Sequence, residues 1–148
     1  MEKLEKKMKS FMSRAVLAGL LLGTSMLATA ATPAPKGAEV FIVSPEDGAT
    51  VPQEFKVRFG VKQIALAPAN DRTPNTGHHH LLIDVDKLPA AGTAIPSDAN
   101  HMHFGMAQTE ATIKLAPGKH TLQLELGDFV HVPFDPPIVS KKITVTVK

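Results

Sequence analysis

The chain has no cysteine, no tryptophan and no tyrosine. Without cysteine it can form no disulfide, no thiolate metal site and no thiol redox couple, and no lipid can be carried on an N-terminal cysteine. Without tryptophan or tyrosine, aromatic weight rests on seven phenylalanines, six of them after residue 30, which limits stacking recognition of sugars or bases. Nucleophile elbow, phosphate loop, His-Glu-x-x-His helix and zinc-deaminase signature are all missing. After residue 30 no stretch sustains a helical period, and no segment repeats, which excludes a solenoid or propeller.

What positive charge there is in excess sits at the start. Lys3, Lys6, Lys7, Lys9 and Arg14 precede an apolar run from Ala15 to Leu27, and Ala28-Thr29-Ala30 follows as a small-x-small site. This order predicts a Sec-type secretory signal over residues 1–30, cleaved after Ala30. The run falls short of the roughly 20 residues that span a bilayer, so no membrane anchor is expected after cleavage. Residues 31–148 hold 11 Lys and Arg against 12 Asp and Glu, a formal charge of −1, so no basic patch points to nucleic acid. All seven histidines lie in this part, and protonating them would carry the charge to +6. The expected location is the periplasm or the medium, as a non-lipoprotein.

The rest of the chain reads as strands. Residues 31–37, with Pro33 and Pro35, form an extended leader, and residues 38–148 suit one domain with one core. Ala38–Val43 is a first strand, closed by the turn Ser44-Pro45-Glu46-Asp47-Gly48. Phe55, Val57, Phe59 and Val61 alternate with Lys56, Arg58, Gly60 and Lys62, the pattern of a half-buried strand. Two long loops, Ala65–Gly77 and Asp86–Asn100, flank a strand over His79–Val85. Thr109–Leu115 and His120–Leu126, joined by Ala116-Pro117-Gly118, read as a hairpin. Gly127–Pro137 is a loop, and Ile138–Val147 closes the chain as a strand. The expected fold is an antiparallel β-sandwich of immunoglobulin-like type, with a small β-barrel as the alternative.

The chemistry gathers at His78-His79-His80 and His101-Met102-His103. Residues two apart on a strand lie roughly 6.5 to 7 Å apart and face the same way, so His78 and His80, or His101 and His103, can each turn two imidazoles onto one ion. If their strands are neighbours, four nitrogens surround one metal. Imidazole suits zinc and copper alike, and the thioethers of Met102 and Met106 tilt the choice toward copper. Plainer roles stand beside these. His79 shares its face with Leu81 and Ile83 and reads as a core-edge histidine bonded to backbone. His120, near the start of a strand, suits the place of the tyrosine that bonds back to a turn in immunoglobulin-like sandwiches. His131 lies in a loop, where plain solvation and ligation stand equally open, and Met102 and Met106 suit packing more than ligation. Asp84 and Glu110 are the carboxylates that would orient a ligating histidine, with plain surface charge the default for Glu110.

Gly77-His78-His79-His80-Leu81-Leu82-Ile83-Asp84, His103-Phe104-Gly105 with Gln108-Thr109-Glu110, Pro117-Gly118-Lys119-His120-Thr121-Leu122-Gln123-Leu124, Gly127-Asp128 and Pro136-Pro137 together resemble the bacterial exported family labelled domain of unknown function 4399. The resemblance runs from about Val40 to Val147 and implies a small periplasmic domain, with no established activity, substrate or metal. Members often carry further histidines between Gly127 and Pro136, where this chain has Phe129 and Phe134, a departure that weakens the case for His131 as part of a rich metal cluster.

Three functions follow as expectations. The first is a periplasmic carrier or buffer of a transition metal, copper or zinc, held by His78, His80, His101 and His103. The second is a metal-free module that meets another periplasmic protein and whose histidines are structural or sense pH. The third, a metal-dependent hydrolase, needs an open coordination position with a carboxylate near it.

Overall fold

The structure is a computed structural model and describes residues 30–148. The predicted secretory signal therefore lies outside the described residues except for Ala30. In chain order the strands are β1 (Glu39–Ser44), β2 (Thr50–Val51), β3 (Glu54–Lys62), β4 (Ala65–Leu66), β5 (Thr76–Ile83), β6 (His101–Phe104), β7 (Glu110–Lys114), β8 (Gly118–Gly127) and β9 (Ile143–Val147). None of the described residues is helical.

Two sheets face one another. One is antiparallel, in the order β1-β3-β7; the other runs β2-β9-β8-β5, with β4 and β6 pairing successive parts of the far edge of β5. The expected sandwich is what forms, and the sheets do not close into a barrel: β1 and β7 remain edges. Alternation places the core. On β3, Phe55, Val57 and Phe59 are buried while Lys56 and Arg58 face water. Leu122, Leu124 and Leu126 of β8, with Ile143, Val145 and Val147 of β9, close on them from the other sheet. A buried Leu or Val of this kind contributes roughly 1.5–3 kcal/mol relative to exposure, so the inner faces fix which side of each strand points outward.

Two strand predictions change. Thr109–Leu115 and His120–Leu126 are not a hairpin: β7 pairs β3, whereas β8 pairs β5 and β9, so the Ala116-Pro117-Gly118 turn carries the chain from one sheet to the other. Ile138–Val147 is not one strand either. Ile138–Ser140 pairs the second half of β8 and β9 pairs the first half, with a slip of one residue between them, where the Ser140 hydroxyl accepts the Leu124 N–H.

β5 differs from the other strands because both its faces are covered. All residues from Gly77 to Ile83 are buried. His79, Leu81 and Ile83 face the core, while His78, His80 and Leu82 face outward. Ile95 and Val132, from the loops before β6 and after β8, are buried without belonging to the main core. The two loops are joined by the Ile95 N–H donating to the His131 carbonyl at 2.8 Å.

Candidate metal centre

Pairing decides which histidines meet. His80 lies directly opposite His103 in the antiparallel β5–β6 pair, so their side chains share the outer face, and His78 is two residues along that face. Across the other edge of β5, His78 stands opposite Gly127, the last residue of β8. The chain then turns back on itself and delivers His131. Ligand nitrogens of His78, His80, His103 and His131 all lie within 4.8 Å of one another. His78 Nε2 and His131 Nδ1 are hydrogen-bonded at 3.0 Å. A tetrahedral ion with bonds of about 2.0–2.1 Å sets its nitrogens about 3.3 Å apart, so a bound ion would draw the four rings closer together.

The turn carrying His131 is held by Asp128. Its Oδ1 accepts the N–H groups of Val130 and Val132, each at 3.0 Å, and its Oδ2 accepts the Thr32 hydroxyl at 2.6 Å. The His131 N–H donates to the Asp128 carbonyl at 2.9 Å, and His131 takes φ 68°, a left-handed conformation in which histidine is among the enriched residues. Two glycines make room for the rings. A Cβ on Gly127 would stand 2.7 Å from Cε1 of His80, and one on Gly105 would stand 2.4 Å from Cε1 of His103.

Burial sets the protonation of the cluster. It pushes His78 down to about 4 and His80 down to about 3, and mutual repulsion among the imidazoles adds to this. The charge of Asp128 opposes the shift at His78. His103 is also lowered, by burial first and by His131 second. His78 and His80 are therefore neutral at neutral pH, the form that ligates a metal. His78 and His80 form a buried floor, and the exposed His103 with the half-buried His131 forms the rim.

The other residues singled out in the sequence fall elsewhere. His101 shares a face with His103 but lies opposite Leu82, one pleat further along, and its Nδ1 is bonded to Asp98 Oδ1 at 2.9 Å; it is not one of the four. Met102 lies opposite Leu81 and packs against the core, while Met106 is 75% exposed. His79 is wholly buried against the Phe59 ring, with centroids 5.0 Å apart, and neither of its nitrogens has a partner among the described residues, so the expected backbone bond is not made. Burial holds it down near 4. His120 does bond back to its turn: Nε2–H donates to the Ala116 carbonyl at 2.9 Å, and Nδ1 meets Asp84 Oδ2 at 2.7 Å. That Asp84 contact is the largest cause of the upward shift at His120. Asp84 is thus engaged away from the cluster, and Glu110 pairs with Lys56 at 2.6 Å on the opposite sheet. His131, which the sequence left open between a solvated loop residue and a less favoured ligand, completes the four. The signal available for it was Gly127-Asp128, a strand end followed by a turn-forming Asp.

Comparison with known proteins bears out the family resemblance. The family model described as "Domain of unknown function (DUF4399)" matches residues 57–148. The chain belongs to this family. Every histidine of this DUF4399 chain lies inside the matched part, while β1 lies before it. No curated protein matches the DUF4399 chain. Among solved structures it is similar to one described as "Structures of Clostridium thermocellum CbhA fibronectin(III)-like modules", at 18% identity and a TM-score of 0.33, covering 73% of this chain and 92% of that one.

Proposed function

We propose that this protein binds a transition metal ion, copper or zinc, through His78, His80, His103 and His131, and serves as a carrier or buffer in the periplasm. The observation that carries the reading is the meeting of four imidazoles from β5, β6 and the turn after β8, with ligand atoms within 4.8 Å of one another. Three supports stand behind it. The buried pair is neutral at neutral pH, glycines stand where any side chain would collide with the rings, and the donor set is all nitrogen, which suits zinc and copper over calcium or magnesium. The exposed rim favours exchange, since a partner can reach the ion past His103. Calorimetric titration with Zn(II) and Cu(II) tests the reading: the expected affinity is micromolar or tighter, and one no tighter than about millimolar overturns it.

A second reading is favoured by the lowered values at His78 and His80. Histidines held neutral inside a fold break it open when protonated, so the same cluster suits a metal-free module that releases a partner protein on acidification. Metal titration separates the two.

A further inference from the structure

Glu125 is fully buried, and neither of its carboxyl oxygens has a hydrogen-bond partner among the described residues. Leaving a buried carboxyl unpartnered works against stability, so a buried acid of this kind calls for another explanation. Its position supplies one. Glu125 lies on β8 directly opposite His80 and therefore on the outer face that carries the histidine cluster. On that face the other buried side-chain atom without a partner is His80 Nδ1; the remaining ones belong to His79, which points into the core.

Opposed residues of an antiparallel pair have Cβ atoms about 4.5–5.5 Å apart, close enough for a carboxyl and an imidazole to bond. The His80 ring already turns its Nδ1–Cε1 edge toward β8, since a Cβ on Gly127 would stand 3.2 Å from Nδ1 and 2.7 Å from Cε1. Neighbouring polar side chains are already engaged. Asp128 takes the Thr32, Val130 and Val132 donors, and the Gln123 amide is turned away to donate to the Ser140 carbonyl. A neutral imidazole carries one N–H, and metal-bound histidines commonly give it to a carboxylate that fixes tautomer and ring orientation.

We propose that Glu125 is a positioning residue of the metal centre, whose carboxyl accepts the Nδ1–H of His80 and so leaves Nε2 as the atom offered to the ion. In the structure the two groups stand on opposed residues of one face and are unbonded, and a side-chain rotation is to join them when the ion holds the His80 ring. This rests on the metal reading above.

The test uses Zn(II) as the probe with the purified protein and two variants, E125Q, which keeps an acceptor oxygen, and E125L, which has none. The expected result is a ten- to hundredfold weaker Zn(II) affinity in E125L and a much smaller loss in E125Q, while metal-free E125L melts at or above the wild type. Imidazole nitrogen NMR of the zinc-loaded wild type should show His80 protonated at Nδ1 and metallated at Nε2. The opposite arrangement at His80, or equal Zn(II) affinity in all three proteins, overturns the role of Glu125 and leaves the metal centre standing. Failure of the wild type to bind Zn(II) overturns both.

Discussion

His78 Nε2 and His131 Nδ1 meet at 3.0 Å across 53 residues of chain, one imidazole from the floor of a sheet and the other from a turn held by a carboxylate. This contact converts three strand-borne histidines into a set of four. Its consequences can be checked residue by residue.

Removing His131 should cost as much metal affinity as removing His80. Each of His131→Ala and His80→Ala is expected to weaken Zn(II) or Cu(II) binding at least tenfold, about 1.4 kcal/mol or more. His101→Ala and Met106→Ala should leave the affinity unchanged, because Asp98 holds the first and solvent surrounds the second. Competition with a chelating dye measures all four.

Asp128 acts on the centre only through the turn it holds. Asp128→Ala leaves two backbone N–H groups without their acceptor and should cost about 1–3 kcal/mol of stability by urea denaturation. It should also lower metal affinity, since His131 is no longer fixed. Asp128→Asn, which keeps an acceptor oxygen, should recover most of both.

Gly105→Ala should separate folding from binding. The new Cβ meets the far end of the exposed His103 ring, which can swing into solvent. The melting temperature should stay close to the wild type while metal affinity falls. At Gly127 the added Cβ meets the buried ring of His80 and the backbone at His131, so Gly127→Ala should lose stability as well.

Acid should destabilise the metal-free protein in a defined window. His78 and His79 titrate near 4 and His80 near 3 when folded, against an ordinary histidine value of 6.5. Because the unfolded chain takes up these protons first, their contribution is complete above pH 6.5 and lost as pH falls from 6.5 toward 4. Glu125 works the other way: burial raises it from 4.5 to about 7, so its contribution is present below pH 4.5 and lost as pH rises through 7. Three histidines outweigh one carboxyl, and each uncompensated site is worth about 1.4 kcal/mol per pH unit. Urea unfolding at pH 7, 6 and 5 should show declining stability, and Glu125→Gln should steepen the decline by removing the opposing group. A flat profile contradicts the assigned burial.

Period-two patterning makes β3 and the facing of His78 against His79 legible in the sequence, because a strand with one buried face must alternate. It could not supply register. His101 and His103 share a face by spacing alone, yet which of them stands opposite His80 depends on how β6 aligns with β5. Tertiary folding also decided His131, whose left-handed turn conformation is set by the Asp128 carboxylate rather than by any repeat. Glu125 was invisible for a related reason. Lying between Leu124 and Leu126, it has the phase of a solvent-facing residue, yet it is fully buried on the outer face of the sheet, which only the tertiary fold decides. The β7–β8 hairpin failed because a turn signal between two strands marks a reversal without saying that the strands pair.

The most direct measurement of the central claim is X-ray absorption spectroscopy of the zinc-loaded protein. Four imidazole nitrogens at about 2.0–2.1 Å are expected, falling to three in His131→Ala and staying at four in His101→Ala. A shell dominated by oxygen, or one that keeps four imidazoles without His131, would contradict it.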